Sequence, residues 1–178
     1  MKYLLTVLMV FALITIGCKK NSTESDDDTD GINTYATVNV IDASDYFKFS
    51  TNSGSSEPTS SYDVEFYSVR WNPTGAPPDI IIDDPRFRSN AGLSIAVLSD
   101  KKLDDVVDVP AAGEFVTNFI SEFGEWYETT DAHIVLPYDH VYVVNTADGN
   151  FPAFAISNYY DNIGNSGVLS IEWKYLSE

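Results

Sequence analysis

The sequence has very few of the sulfur and imidazole side chains that bind metals. Its 178 residues include one cysteine (Cys18), two methionines and two histidines. A single cysteine cannot form a disulfide within the chain, and it excludes zinc sites built on several thiolates. Cys18 and both methionines lie within the first 18 residues, so the remainder of the chain has neither a thiol nor a thioether.

Basic side chains are also scarce. The chain has 10 lysines and arginines against 27 acidic residues, which gives a formal net charge of -17. Nucleic-acid binding depends on lysine and arginine contacts to phosphates, so the composition predicts no nucleic-acid partner. Aromatic residues make up 13% of the chain, more than is typical of a disordered acidic chain, and this indicates a folded domain.

Sequence motifs of common enzymes are absent. The chain has no nucleophile elbow, phosphate-binding loop, dinucleotide-binding glycine motif or zinc-protease helix motif. A Ser-His-Asp triad could be drawn from the histidines and serines, but no local pattern selects one. The pairs Asp83-Asp84 and Asp104-Asp105 could serve a glycosidase, although surface solvation explains them more simply. We therefore predict no catalytic residues and a protein that is not an enzyme.

The N-terminus has the pattern of a lipoprotein signal. After Lys2, Leu4 to Ile16 form an apolar run of about thirteen residues. This run is shorter than the roughly 20 residues of a membrane-spanning helix and suits a signal peptide. It ends in Thr15-Ile16-Gly17-Cys18, which resembles a bacterial lipobox. We predict a signal peptide over residues 1–17 and lipidation of Cys18; the alternative is an ordinary secretory signal.

Residues 18–32 are predicted to be the lipidated cysteine and a flexible acidic tether. Asp26-Asp27-Asp28 and Asp30 dominate this stretch, which has too few apolar residues to fold. Two lysines followed by an acidic cluster resemble the start of surface-exposed Bacteroidota lipoproteins. This predicts an outer-membrane protein exposed at the cell surface and attached to the membrane only by its lipid; a spacer facing the periplasm is the alternative.

Residues 33–178 are predicted to form one domain, with a net charge of -15. Alternating or β-branched patterns predict strands in six segments: residues 35–41, 62–71, 93–98, 141–144, 151–156 and 169–175. In the last segment Leu169, Ile171, Trp173 and Tyr175 share one face, as in an antiparallel strand with one buried side.

The predicted fold class is all-β, a mostly antiparallel, two-sheet, sandwich-like single domain with at most one or two short helices. The segment from Glu114 to Phe123 is the main helix candidate, because Phe115, Phe119, Ile120 and Phe123 recur at helical spacing. An irregular aromatic loop explains that spacing equally well.

Two segments have ligand-like side chains. Asp161 to Asn165 places oxygen ligands close together, but it lacks the glycine of an EF-hand loop, so a hairpin turn is the better interpretation. His133 and His140 are candidates for metal or haem ligation, because imidazole is a common ligand of both. An uninterrupted strand would place them on opposite faces, but Pro137 and Asp139 are expected to interrupt it, so a shared site stays open.

Several segments together resemble the HmuY-like haem-binding lipoproteins. The C-terminal half carries the most specific ones: residues 141–149 with a strand ending in Thr-Ala-Asp-Gly, residues 157–161 with a tyrosine pair, and the closing aromatic strand 167–176. Trp126-Tyr127, followed by His133 and Pro137, is similar to that family as well. Weaker likenesses are residues 62–66 and 40–46. The resemblance covers roughly residues 35–178.

The resemblance implies a surface-anchored haemophore for haem and iron acquisition, which passes haem to an outer-membrane receptor. Family members bind haem iron through two axial side chains, histidines in some and methionines in others. Here it implies His133 and His140 as the haem ligands, with Trp126, Tyr127 and Tyr138 packing on haem or a related porphyrin and no metal beyond the haem iron. The alternative is a non-enzymatic surface lipoprotein that binds a protein or glycan partner without haem.

The lipid anchor is directly testable. Replacing Cys18 with serine removes the thiol that would be acylated, so we expect the full-length protein to lose its label when cells are grown with a radioactive fatty acid. Immunoprecipitation followed by autoradiography checks this. Equal labelling of the wild type and C18S would contradict lipidation at Cys18.

Overall fold

The computed structural model of the chain describes residues 31–59, 61–72, 74, 77 and 81–177. The predicted signal peptide, Cys18 and the predicted tether up to residue 30 lie outside these residues. Within the described part of the chain, no helix is long and apolar enough to cross a membrane.

The described residues form an all-β fold, as the sequence predicts. Their eleven strands are β1 (Asn33–Ala36), β2 (Asp45–Phe47), β3 (Val64–Trp71), β4 (Ile82–Ser89), β5 (Ser94–Ser99), β6 (Val116–Thr117), β7 (Tyr127–Thr129), β8 (Val135–Pro137), β9 (His140–Asn145), β10 (Phe151–Tyr160) and β11 (Ser166–Leu176). The helical segments of the same residues are single 3-10 turns at Phe49–Thr51, Leu103–Asp105 and Ala112–Glu114.

The strands form two main antiparallel sheets and a separate hairpin. The large sheet has six strands in the order β1-β11-β10-β9-β5-β6, and the small sheet has three in the order β2-β3-β4. Strands β7 and β8 pair only with each other among the described strands. This agrees with the predicted two-sheet architecture. Strand β8 packs beside β10, where Val135 N donates to Tyr160 Oη.

Aromatic side chains fill the space between the two sheets. Phe66 and Phe87 of the small sheet face Phe154 of the large sheet, with ring centroids 6.1 and 5.5 Å away. Tyr142 of β9 packs edge-on against Phe87 at 4.7 Å. Tilted and edge-to-face aromatic pairs at these distances are favourable beyond their buried area.

The large sheet is buried on its other face as well. Val141 and Val143 of β9 point away from Tyr142 and pack with Ala96, Leu103 and Val106. A strand that is buried on both faces has no polar positions, which explains why β9 reads as a continuous apolar run instead of an alternating one.

The predicted strands are largely present, and the sequence patterns missed the charged or short ones. Strand β4 reads Ile-Asp-Asp-Pro-Arg-Phe-Arg-Ser, which gives no simple alternation. Its Pro85 is tolerated because β4 lies at the edge of the small sheet. In β11, Leu169, Ile171 and Trp173 are buried as predicted, but Tyr175 is 45% exposed near the end of the strand.

The helix predicted as one alternative for residues 114–123 does not form; the irregular aromatic loop does. This segment hydrogen-bonds to the free edge of β4 instead: Ser89 N donates to Phe119 O, and Ser121 N donates to Phe87 O. Phe119 is buried against Phe87, whereas Phe123 is 55% exposed. Covering the sheet edge requires extended backbone, which overrides the helical spacing.

Buried carboxylates near the start of the domain predict a pH effect on stability. Burial raises the pKa of Asp45, although its Oδ2 accepts hydrogen bonds from Tyr35 Oη and Val38 N, both at 2.8 Å. The native state therefore binds more protons at Asp45 than the unfolded chain does above about pH 4. We expect D45N to become progressively more stable relative to wild type as the pH rises from about 4 to 7.

Asp161 is the matched control with the opposite sign. Hydrogen bonds, first from the Asn165 side chain, lower its pKa, so the ionised form stabilises the native state. D161N should lose stability relative to wild type as the pH rises from about 2 to 5, and the difference should stay nearly constant above that range. Urea unfolding at several pH values measures both differences. Parallel pH profiles for wild type and D45N would contradict the assignment for Asp45.

Candidate functional site

A β-bulge in β10 creates the site. Phe154 and Ile156 point into the core, and the pairing register with β11 then shifts on both sides of Asn158. The Asn158 side chain forms three hydrogen bonds with the backbone where the strand pairing is interrupted. Its Oδ1 accepts from Tyr159 N (2.9 Å) and Tyr160 N (3.3 Å), and its Nδ2 donates to Tyr160 O (2.9 Å). Regular alternation would turn Tyr159 to the face opposite Ile156, but both pack in the same core cluster.

Beyond the bulge, Tyr159 and Tyr160 line a cavity of about 550 Å³ together with Tyr127 and His133, which we call the tyrosine pocket. Its remaining described lining residues are Ile41, Ile82, Asp83, Pro85, Phe123, Thr129, Val135, Gly164 and Ser166. The volume is in the range of small-molecule sites, and the walls are mostly aromatic and aliphatic with a few polar groups.

Tyr127 is fixed by a buried acid. Its hydroxyl donates to Asp84 Oδ1 at 2.8 Å, and Asp84 also forms an ion pair with Arg86 Nε. Burial raises the pKa of Tyr127, and the hydrogen bond to Asp84 raises it further. Asp84 itself is fully buried, so the interpretation of Asp83-Asp84 as a solvated surface pair is wrong for Asp84.

The two tyrosines of β10 are held in different ways. Burial is the main cause that raises the pKa of Tyr159 to about 12, and the nearby charge of Asp83 is the second cause. Its phenol is therefore neutral at physiological pH. The hydroxyl of Tyr160 accepts a hydrogen bond from Val135 N at 2.8 Å, which ties β8 to β10. Both rings therefore serve the pocket mainly as flat walls.

His133 enters the pocket from the turn between β7 and β8. Its backbone has φ of 61°, the left-handed region that histidine tolerates better than most non-glycine residues. The turn is closed by His133 N donating to Thr130 O (2.8 Å) and Thr130 N donating to Ile134 O (2.9 Å). Left-handed non-glycine residues are enriched at functional sites, and here one is an exposed histidine that lines the same pocket as three tyrosines.

The second predicted ligand lies elsewhere. His140 begins β9 and lines a separate depression of about 290 Å³ with Lys101, Lys102 and Tyr138, which we call the His140 depression. Its Nδ1 is enclosed and has no hydrogen-bond partner in the described part of the chain. His133 is at the turn end of the β7–β8 hairpin and His140 follows the other end. Residues 133–137 alone span roughly 13 Å when extended.

The three predicted packing residues are also divided. Tyr127 lines the tyrosine pocket, whereas Tyr138 lines the His140 depression, 5.4 Å from the imidazole of His140. Trp126 is 1% exposed and supports the pocket from the core: its Nε1 donates to Pro85 O at 2.9 Å and its ring packs 4.7 Å from Tyr127. The tyrosine pair at residues 159–160 contributes to the family resemblance, but the sequence alone does not assign it to a site.

The arginines of the small sheet are already paired with acidic side chains. Arg70 Nε lies 2.8 Å from Asp83 Oδ1, and Arg88 Nε lies 2.7 Å from Glu65 Oε2. No lysine or arginine is among the described residues that line the tyrosine pocket. A bound molecule therefore meets a neutral aromatic wall and one carboxylate, Asp83, instead of a cationic site.

The described residues contain no cluster of three or more histidine, cysteine or acidic side chains placed to bind a metal ion. The acidic segment at Asp161 is a hairpin turn, as the sequence predicts. Asp161 Oδ1 accepts from Ile163 N (2.9 Å) and Asn165 N (2.8 Å). This turn places Gly164 at the edge of the tyrosine pocket.

Comparison with known proteins identifies the family. A family model described as HmuY protein matches residues 41–173, which include most of this pocket and His133. The chain belongs to the HmuY family. The match covers about three quarters of the chain and confirms the family resemblance seen in the sequence. No curated protein matches the chain.

Solved structures share this HmuY-family fold at low sequence identity. Apo PinO from Porphyromonas gingivitis is 15% identical, with a TM-score of 0.54, over 84% of this chain and 99% of its own. An apo HmuY analogue from Tannerella forsythia is 12% identical, with a TM-score of 0.50; the match covers 85% of this chain and 100% of the analogue. A candidate lipoprotein from Bacteroides fragilis NCTC 9343 is 13% identical, with a TM-score of 0.50; the match covers 85% of this chain and 93% of that lipoprotein. At these identities the likeness shows the fold.

The role of Asn158 can be tested by removing its side chain. N158A loses the three hydrogen bonds that hold the bulge, so we expect the free energy of unfolding to fall by about 1–3 kcal/mol. The neighbouring S157A loses one exposed hydrogen bond, Ser157 Oγ to Ser170 O, and should change stability by about 0.5 kcal/mol or less. Urea denaturation compares them. Equal stabilities of N158A and S157A would contradict the role of the bulge.

Proposed function

We propose that this HmuY-family protein binds haem or a related porphyrin in the tyrosine pocket, without enzymatic activity. The observation that carries the proposal is His133, held in a left-handed turn and among the residues that line a pocket with Tyr127, Tyr159 and Tyr160. Imidazole is the commonest protein ligand of haem iron, and flat aromatic walls suit a planar macrocycle.

The residues present fit one face of a haem. His133 supplies a nitrogen donor, while Ile82, Val135 and Phe123 supply apolar contacts for the ring edge. Because Tyr127 and Tyr159 have raised pKa values, their phenols are neutral and suit packing better than anionic ligation. Haem would be the cargo of this protein, and the protein groups would bind and orient it.

The charges in the pocket favour one orientation of the ligand. Haem carries two propionates, and the described lining of the pocket includes Asp83 but no lysine or arginine. Asp83 is itself paired with Arg70. Propionates directed into the pocket would be unpaired, so we propose that they face solvent.

We also propose a place for the protein in the cell. A lipid on Cys18 would attach the domain to the outer membrane, exposed at the cell surface, where an outer-membrane receptor could accept haem from it. The similar structure from Bacteroides fragilis is itself described as a candidate lipoprotein, which agrees with this proposal. Haem and iron acquisition is the role that these features together support.

Haemin titration of the domain from residue 33 tests the proposal. We expect saturation at one haemin per protein, and H133N should weaken binding by about tenfold or more. Asparagine also tolerates the left-handed backbone of this turn, so H133N removes the imidazole with little strain. H140Q is the matched control and should change affinity by about twofold or less, since His140 lies in the other depression.

The orientation of the ligand is tested by a second titration. Haemin dimethyl ester, which lacks the propionate charges, should bind about as tightly as haemin. If haemin fails to bind, or if H133N binds as the wild type does, the proposal is wrong. Failure to bind haemin would direct attention to the alternative, a surface lipoprotein with a protein or glycan partner, which pull-down and glycan arrays address.

A further inference from the structure

We infer that an iron porphyrin in the tyrosine pocket takes a single protein side chain, His133, as axial ligand and leaves the other axial position of the iron free for an exogenous ligand. This inference rests on the proposed function and specifies the coordination within it. It separates this chain from a site with two protein ligands, because the described residues that line the pocket include no second donor of suitable chemistry.

His140 lines a different cavity, so it is not available in the tyrosine pocket as the second ligand. It lies in β9, opposite Ser99 of β5, and its ring packs between Tyr138 and Tyr142 at 5.4 and 6.4 Å. Two axial ligands must both approach one iron from opposite sides of the same macrocycle. His133 and His140 instead line two cavities that share no described residue.

Sulfur ligands are excluded by the sequence itself. Met1, Met9 and Cys18 all precede the domain, so a folded domain beginning at residue 33 has no thioether or thiol. Ligation by methionine or cysteine, which other haem proteins use, is therefore closed to this chain.

The three tyrosines of the pocket are already held by hydrogen bonds or ring packing within the protein. Tyr127 Oη donates to buried Asp84, and Tyr160 Oη accepts from Val135 N. Tyr159 is 4% exposed, and its ring packs edge-on against that of Trp126, with centroids 6.1 Å apart. Each of the three side chains is therefore held by contacts within the protein.

The remaining oxygen donors of the pocket are weak or already paired. The carboxylate of Asp83 contacts Arg70 through both oxygens, with Nε at 2.8 Å and Nη2 at 3.4 Å. Thr129 and Ser166 offer only neutral hydroxyls, which are poor ligands for iron. His133 is thus the strongest available donor among the described lining residues.

The spin state of the bound ferric iron tests this coordination. The domain is loaded with haemin, separated from free haemin by gel filtration, and examined by absorption and electron paramagnetic resonance spectroscopy. We expect a high-spin ferric signal in the wild type and H140Q. Added imidazole should convert both to a low-spin, six-coordinate form. H133N should lose the high-spin histidine-ligated spectrum, and imidazole should restore a nitrogen-ligated one.

Each outcome can be assigned. A low-spin wild-type spectrum before imidazole is added would overturn the inference; its loss in H140Q would identify His140 as the second ligand. An unchanged high-spin spectrum in H133N would also overturn it, because His133 would not be the ligand. If no haemin stays with the protein after gel filtration, the proposed function itself fails. Far-ultraviolet circular dichroism confirms that each variant is folded.

Discussion

The change of register at Asn158 is the constraint on which the candidate site depends. Up to Ile156, β10 follows the alternation that sends Phe154 between the two sheets. Beyond Asn158 the extra residue brings Tyr159 back to the core side, next to Tyr160. The same strand therefore completes the aromatic core at one end and builds two walls of a cavity at the other. Bulges commonly redirect side chains next to binding sites, and this one is stabilised by an amide that bonds to three backbone groups.

The separate β7–β8 hairpin completes the pocket because it packs against this end of β10. The hydrogen bond from Val135 N to Tyr160 Oη joins the hairpin to the bulged strand, and Tyr127 reaches across to Asp84 of the small sheet. These contacts with both main sheets position the hairpin whose turn carries His133. The tyrosines thus have two roles: they position the histidine turn, and their rings form the surface on which a planar ligand would pack.

Charge pairing explains how so acidic a domain can contain buried carboxylates next to a ligand pocket. Arg86 and Arg88 neutralise Asp84 and Glu65, both of which are buried in the small sheet. Removing one partner of such a pair leaves an uncompensated charge, so these arginines are needed where they are. They are not available to bind the carboxylates of a ligand. This is the physical basis for the proposed orientation, in which haem propionates would face solvent.

The sequence alone predicted the fold class and family because their signals are local. Alternation in β11 and the apolar run of β9 each follow from burial of one or both faces of a strand. The site was harder to predict, because its geometry depends on long-range contacts. The sequence pattern predicts a solvent-exposed Asp84, and only the contacts with Arg86 and Tyr127 explain its burial. Tyr159 reads as outward-facing unless the bulge at Asn158 is anticipated. The interruption between His133 and His140 was expected from Pro137 and Asp139, but the sequence left open whether the two shared a site.

The most direct test of this account is the location of the iron itself. Crystals of the domain grown with haemin, with diffraction measured at the iron absorption edge, would show the metal as an anomalous peak. We predict one peak in the tyrosine pocket, at bonding distance from an imidazole nitrogen of His133 and with no protein atom on the opposite side of the iron. A peak in the His140 depression, or an iron bound between two protein side chains, would contradict the account.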